Sequence, residues 1–139
     1  MTRINASIRP QELSNSMLFA EYREIKRIPN TIKSGKAIIK NIPTEFKLST
    51  SHVKFFYDKI LYLKRRSDAL YIECLNRGIK AEDYSECYED VPKELFNDWR
   101  ETKKSRELVK ERINLRLTES KQVIRFYDKV FTIDEALIK

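Results

Sequence analysis

The scarcity of chain-breaking residues is the feature that most constrains the fold. The 139 residues include only two glycines and four prolines. Sandwiches and barrels need many tight turns, and tight turns are rich in these two residue types. Long segments instead carry apolar residues at helical spacing. The sequence therefore predicts an all-α fold, and residues 1–139 are the size of one compact domain.

Three segments carry the helical pattern, and we expect the main helices to cover residues 10–28, 51–77 and 105–118. Pro10 suits a first helical turn, and the first helix is predicted to stop before Pro29. Ser51 is a possible N-cap of the second helix, which closes at Gly78.

The connections between these helices are expected to be mostly irregular. Residues 2–9 form an N-terminal arm, and residues 29–51 form a basic loop. Residues 64–66 interrupt the apolar stripe of the second helix and are predicted to be a solvated face. A short helix is expected over residues 92–99, and the tail at 123–127 is expected to pack back on the domain.

The charge balance favours an anionic partner. The chain carries 28 basic and 21 acidic residues, for a net charge of +7. A nucleic acid is the leading partner, because neutralising phosphates releases condensed counterions. An acidic membrane surface fits the charge as well, and so does a basic protein with neither partner. No apolar run approaches the roughly 20 residues that a membrane span needs.

Cysteine usage indicates an intracellular protein. Cys74 and Cys87 offer no disulfide framework, and Cys74 is expected in the core. No secretory leader precedes Ile4. We expect a cytoplasmic protein, in the cytoplasm of the host cell if the protein is viral.

Metal and cofactor chemistry lack the residues they need. His52 is the single histidine, and the chain has no CxxC pair, P-loop or dinucleotide fingerprint. A serine or cysteine nucleophile would have His52 as its only imidazole base. We therefore expect no metal and no organic cofactor.

An α-amine is the remaining nucleophile. Thr2 follows Met1 and is small enough for the initiator methionine to be removed, which would make Thr2 the mature N-terminus. A terminal amine has a pKa of about 7.7–8.0, so a useful fraction is uncharged near neutrality and can form a Schiff base. Many chains begin Met-Thr and leave this amine unused, so the pattern alone is not specific.

Glu24 is a charged residue on an apolar helical row, whose members are Leu13, Met17, Ala20 and Glu24. Arg23 and Arg27 flank it in sequence. Such a carboxylate is either an acid/base or oxocarbenium-stabilising group beside bound phosphates, or an ion-paired structural residue.

Five blocks of sequence, in order along the chain, are similar to one known family. They are Met1-Thr2-Arg3-Ile4-Asn5, Ala20 to Ile25 with Arg27, His52-Val53 with Phe55 to Lys59, Glu73-Cys74-Leu75 with Arg77-Gly78, and the weaker Pro92 to Trp99. Together they resemble the pyrimidine-dimer DNA glycosylase family, the phage endonuclease V enzymes. The resemblance runs from residue 2 to about residue 129.

The resemblance implies a compact all-α domain whose N-terminal arm threads between helices to reach DNA. It assigns the amine of Thr2 as the nucleophile that attacks C1′ of the damaged nucleotide, and Glu24 as the catalytic carboxylate. It implies DNA-phosphate contacts for Arg3, Arg23, Arg27, Arg112 and Arg116. The implied activity is excision of UV-induced pyrimidine dimers from double-stranded DNA, followed by β-elimination, by a monomer without a cofactor.

Several positions depart from the family pattern. Met17 stands where the family has a histidine, and Lys26 stands where it has a proline. Residues 123–127 keep only two of the family's C-terminal aromatic positions, and the loop at 29–50 is shorter. Residues 130–139 extend beyond the usual end. These regions bear on lesion recognition more than on the nucleophile or the carboxylate.

Three other functions remain possible from the sequence. A DNA-binding module without catalysis would need neither Thr2 nor Glu24. A glycosylase or lyase for a different damaged base would keep both residues but change the pocket. A membrane-surface protein would carry an amphipathic basic helix rather than a carboxylate on the apolar row, and this is the least favoured reading.

Overall fold

The computed structural model describes residues 2–139. They form a set of helices packed around one apolar core, together with a small two-stranded hairpin. The α-helices are α1 (Asn15–Ile25), α2 (Arg27–Lys33), α3 (His52–Phe55), α4 (Ile60–Asn76), α5 (Lys103–Glu119) and α6 (Ile133–Ala136). The strands are β1 (Ile124–Phe126) and β2 (Lys129–Phe131), and 3-10 turns cover Pro10–Glu12, Ser85–Tyr88 and Lys93–Leu95. The predicted all-α class is confirmed, and α1, α4 and α5 are its long helices.

The first predicted helix is divided into three pieces. A 3-10 turn occupies Pro10–Glu12, and α1 restarts behind Ser14, whose hydroxyl accepts the Met17 N–H at 3.4 Å. The prediction that the helix ends before Pro29 is wrong, because Pro29 is the third residue of α2. A proline is tolerated there, since the first-turn N–H groups of a helix have no intrahelical partner.

The second predicted helix is interrupted between α3 and α4. The Lys59 ammonium donates to the Phe55 carbonyl at 2.9 Å, and the Asn97 amide donates to the Asp58 carbonyl at 2.9 Å. These side chains take carbonyls that a continuous helix would use for its own hydrogen bonds. The predicted closure is confirmed, since Gly78 lies just past α4 with φ +74°.

The third predicted helix is confirmed within two residues at each end, as α5. Its Thr102 cap accepts the Ser105 N–H at 3.0 Å. The tail packs back on the domain as expected, as the antiparallel hairpin of β1 and β2. The Asn15 amide donates to the Tyr127 carbonyl at 2.6 Å, which ties this hairpin to α1.

The N-terminal arm is inside the fold. Ile4, Ala6 and Ile8 are fully buried, and Asn5 is almost so. The arm therefore threads between the helices, as the resemblance implied. Cys74 lies in the same core, as predicted. None of the helices within residues 2–139 is both long enough and apolar enough to cross a bilayer.

Candidate active site and nucleic-acid interface

A cleft of about 280 Å³ separates α1 from α5, and we call it the main cleft. The wall from α1 is Met17, Ala20 and Glu24, and the wall from α5 includes Arg112 and Arg116. Arg3 and Asn5 of the arm and Val123 and Ile124 near the hairpin also line it. Three members of the row that looked apolar in sequence, Met17, Ala20 and Glu24, thus form a cleft wall. The fourth member, Leu13, lies in the core, as do Leu18, Tyr22 and Ile25 of α1.

A second cleft of about 460 Å³, the side cleft, lies on the other side of Glu24. Arg23, Arg27 and Lys36 line it together with Glu24 itself. It also contains Lys26 and the polar groups of Asn30, Thr31 and Ser34. Glu24 stands on the ridge between the two clefts, because it is the residue that lines both.

Glu24 is half-buried and carries no ion-pair partner among residues 2–139. The arginines that share the two clefts with it, Arg3, Arg23, Arg27 and Arg116, also form no ion pair within this part of the chain. Arg23 instead lies over the Phe19 ring at 5.0 Å. A carboxylate among guanidinium groups that are free to bind elsewhere can act on a ligand held by those groups.

His52 holds the arm from one side. Its Nε2 accepts the Ile4 N–H at 2.9 Å, while its Nδ1–H donates to the Lys47 carbonyl at 2.7 Å. This pattern requires the neutral imidazole with its hydrogen on Nδ1. Burial lowers the pKa of His52 to about 4, so the ring stays neutral at physiological pH. His52 is therefore a structural residue of α3 that fixes the arm.

Arg112 holds the arm from the opposite side. Its Nη2 donates to the Ile4 carbonyl at 3.2 Å and to the Asn5 Oδ1 at 3.0 Å. Burial lowers the pKa of Arg112 to about 10, and the nearby charge of Arg3 adds to the effect. Arg116, one turn further along α5, is exposed at the cleft. The two arginines share a face, as predicted, but Arg112 is committed to the arm while Arg116 is open to solvent.

A buried ion pair supports the floor of the main cleft. Arg66 of α4 donates to both carboxylate oxygens of Glu21, at 2.5 and 2.9 Å, and to the Ile8 carbonyl at 2.9 Å. Asn5 donates its amide to the same carboxylate at 3.0 Å. Although burial opposes its charge, the Glu21 carboxylate raises the pKa of Arg66, so Arg66 stays charged. The prediction of a solvated face at 64–66 is therefore wrong for Arg66.

Thr2 is half-buried and directly precedes Arg3, which lines the main cleft. The proposed nucleophile thus stands at the start of an arm whose next residues are fixed, although its own side chain does not line the cleft. The expected removal of Met1 lies outside the described residues.

Sequence reasoning missed Asn5, Glu21 and Arg66 as supports of the site. A signal was present for Arg66, which lies three residues after Leu63 and four before Leu70, on the core row of α4. Glu21 precedes Glu24 by three residues, but only the tertiary fold shows that Glu21 faces the core and Glu24 the clefts. Lys36 was also missed as a cleft residue, because loop geometry is not visible in sequence.

The charge of the two clefts suits a polyanion. Six basic side chains line the two clefts, and Arg112 lies behind them. The six are Arg3, Arg23, Lys26, Arg27, Lys36 and Arg116. Glu21 is neutralised by Arg66, which leaves Glu24 as the unpaired carboxylate of this surface. Within residues 2–139, no three His, Cys, Asp or Glu side chains gather as metal ligands would.

Comparison with known families agrees with this geometry. A family model described as pyrimidine dimer DNA glycosylase matches residues 1–86, which include the arm, Glu24 and both arginines beside it. The match stops before α5, which carries Arg112 and Arg116. Because it covers more than half of the 139 residues, the chain belongs to the pyrimidine dimer DNA glycosylase family, and it is a DNA-repair glycosylase whose substrate is DNA.

Proposed function

We propose that the chain excises cyclobutane pyrimidine dimers from UV-damaged double-stranded DNA and then cuts the strand at the same site. The observation that carries the proposal is the position of Glu24, an unpaired carboxylate on a ridge between two arginine-lined clefts. Thr2 also supports the proposal, because it directly precedes Arg3, which lines the main cleft, and Ile4, whose backbone is held by His52 and Arg112.

The proposed placement of DNA follows from the charges. Arg23 and Arg27 on one side of Glu24 and Arg3 and Arg116 on the other would bind phosphates that flank the lesion. The sugar of the damaged nucleotide then lies over the ridge. Bending the duplex would reduce the cost of exposing that sugar to the protein.

The proposed reaction begins with the uncharged Thr2 amine, after Met1 has been removed. A bond forms between the amine nitrogen and C1′, and the glycosidic bond breaks with its electron pair leaving on the base. Protonation of the ring oxygen opens the sugar and gives an imine. Loss of the C2′ proton then expels the 3′ phosphate by β-elimination, and water releases the enzyme from the imine.

Glu24 would serve two steps of this sequence. Its carboxylate would stabilise positive charge as the glycosidic bond breaks, accept the proton that the Thr2 nitrogen loses after its attack, and deliver that proton to the sugar oxygen. It would then accept the C2′ proton during elimination. His52 is not available for either role, because both ring nitrogens are bound to the protein backbone.

Borohydride trapping on a duplex with one site-specific cyclobutane dimer tests the proposal. We expect a reduced protein–DNA adduct that maps to the Thr2 nitrogen, together with N-terminal sequencing that begins at Thr2. Glu24→Gln should lower the rate of base release by at least about 100-fold while DNA binding is kept. Glu86→Gln, at an exposed site outside both clefts, is the matched control.

Two further duplexes distinguish the outcomes. An adduct on an abasic site but not on the dimer would keep the Thr2 amine and assign the protein to another lesion. The absence of an adduct on either damaged duplex, with salt-sensitive binding retained, would contradict the lyase mechanism.

A further inference from the structure

The loop after α2 carries the most exposed large apolar side chain of residues 2–139. Ile38 is 70% exposed, and its neighbour Ile39 is 39% exposed. Ile32 before the loop and Phe46 after it both pack against the core. Ile38 therefore leaves most of its apolar surface in solvent, and Ile39 leaves a smaller part.

The loop begins at the side cleft. Gly35, with φ +78°, reverses the chain at the end of α2, and its N–H donates to the Ile32 carbonyl at 3.0 Å. The next residue, Lys36, lines the side cleft together with Arg27 and Glu24. Ile38 follows two residues later, within about 7 Å along the chain. The apolar tip thus stands at the edge of the surface over which we place DNA.

The charge around the tip fits the same partner. Residues 25–44 contain five lysines and arginines and no aspartate or glutamate. Lys36 and Lys40 bracket the two isoleucines directly. An apolar tip between Lys36 and Lys40 could reach into DNA while these lysines hold phosphates on both sides of it.

We propose that Ile38, supported by Ile39, inserts into the base stack at the lesion and holds the opened step apart. Proteins that kink DNA insert apolar side chains between base steps for this purpose. An enzyme that attacks a sugar carbon within a duplex has to open the stack to reach it. The inference rests on the proposed placement of DNA over the clefts, but it does not depend on the chemistry of Thr2 or Glu24.

A duplex with 2-aminopurine beside a tetrahydrofuran abasic analogue tests the inference without any reaction. Binding of the full chain should raise the fluorescence, because the probe loses its stacking partner. Ile38→Ser should abolish most of that rise. It should also weaken binding to this duplex by about tenfold, because the complex then lacks the burial of one isoleucine side chain. Binding to an undamaged duplex should change little, and Ile38→Val should keep most of the rise.

Two variants distinguish insertion of the Ile38 side chain from an effect of added charge and from an effect of removing any exposed isoleucine. Ile38→Lys should bind both duplexes through its added cation, yet give little fluorescence rise. Ile72→Ser changes an isoleucine that is 58% exposed on α4, outside both clefts, and should behave as the unaltered chain.

Three results would overturn the inference. An unchanged rise and affinity in Ile38→Ser would show that the tip does not enter the stack. An equal loss for damaged and undamaged duplexes would make it a general DNA contact. Loss of binding to phosphatidylserine vesicles, with DNA binding unchanged, would assign the tip to a membrane surface. The tetrahydrofuran analogue cannot be cleaved, so the fluorescence measurement does not depend on the reaction. A failure of borohydride trapping on dimers would therefore not affect its result.

Discussion

At the scale of single residues, His52 links the position of the arm to pH. Burial lowers the pKa of the imidazole and outweighs its hydrogen bond to the Lys47 carbonyl, so the ring is neutral and its Nε2 can accept the Ile4 N–H. The charged groups that act on it are Arg112, which lowers its pKa, and Glu21, which raises it. The free His pKa of about 6.5 in the unfolded chain is therefore above the value in the folded chain.

We expect this difference to destabilise the protein in mild acid. The folded pKa is about 4, so the unfolded chain binds the extra proton first as the pH falls below about 6.5. The contribution of His52 to the free energy of unfolding is present above that pH and falls by about 3 kcal/mol by pH 4. Urea unfolding from pH 7 to 4 measures it.

His52→Gln is the matched variant, because its amide oxygen can still accept the Ile4 N–H but does not titrate in this range. The wild-type chain should lose more stability than this variant between pH 6.5 and 4. Parallel pH profiles for the two proteins would contradict the assignment.

At the same scale, Arg116 and Arg112 should behave differently although they lie one turn apart. Arg116→Gln should weaken binding to undamaged DNA and lower the slope of log K against log salt by about 0.9, the effect of one lost phosphate contact. Arg100→Gln, at an exposed site outside both clefts, is the control. Titrations at several salt concentrations measure the slopes, and an unchanged slope in Arg116→Gln would remove it from the interface.

Arg112→Gln should instead lower the stability of the fold, because Arg112 binds the Ile4 carbonyl and the Asn5 side chain inside the domain. This contrast could not be predicted from helical spacing, which gave the shared face but not the different depths of the two side chains.

At the scale of elements, the Glu21–Arg66 pair joins α1 to α4 beneath the main cleft. Arg66→Met would leave the Glu21 carboxylate buried without its cation, and we expect a loss of about 3–5 kcal/mol in the free energy of unfolding. Arg65→Met on the same helix breaks a pair whose side chains are 67% and 43% exposed, so its loss should stay below about 1 kcal/mol.

The double variant Glu21→Leu with Arg66→Met should recover part of the loss, because no unpaired charge remains buried. Equilibrium urea unfolding compares the four proteins. If Arg66→Met and Arg65→Met lowered the free energy of unfolding equally, the buried pair would contribute no more to stability than the exposed one.

The C-terminal residues beyond the hairpin are also expected to contribute to folding. Ile138 is buried, and its backbone exchanges two hydrogen bonds with the Asn114 side chain of α5, at 2.8 and 2.9 Å. Ile138→Ala should cost about 2–5 kcal/mol. Val130→Ala, at a residue 60% exposed, should change stability by less than about 0.5 kcal/mol. If thermal unfolding does not separate these variants, the segment is an appendage rather than part of the core.

The three long helices were predictable from sequence, whereas the breaks between them and the shorter helices were not, and helix ends were predictable only where local signals decide them. Gly78 marks the end of α4 as predicted, whereas α5 begins at Lys103 behind its Thr102 cap, two residues before the predicted start. The break after Phe55 depends on Asn97, which is 39 residues away from the carbonyl it binds. The prediction that a helix ends before Pro29 was wrong, because the effect of a proline depends on whether it lies in the first turn or in the interior of a helix.

The candidate site divides in the same way. Glu24 was visible as a carboxylate on an apolar row, although Met17 and Ala20 of that row line a cleft and only Leu13 lies in the core. The residues that support the site could not be found by spacing alone, because Asn5, Glu21 and Arg66 come from three separate segments and meet only in the folded chain.

At the scale of the whole molecule, two clefts lined by cations meet at Glu24. The loop after α2, which contains Lys36 and Lys40, begins at the side cleft. Such a concentration of charge speeds the approach of DNA and makes it sensitive to ionic strength. The fold thus presents its cations, its free carboxylate and its most exposed apolar tip together.

The buried arm also sets an order of events during synthesis. Its partners Ser105, Arg106 and Arg112 follow it by 98 to 108 residues, so they leave the ribosome long after the arm has emerged. At about 5–20 residues per second, the arm waits roughly 5–20 seconds before it can be enclosed. During this interval the enzymes that trim nascent chains have access to it, and afterwards the folded domain shields it. The timing of translation therefore gives the proposed amine nucleophile its opportunity to form.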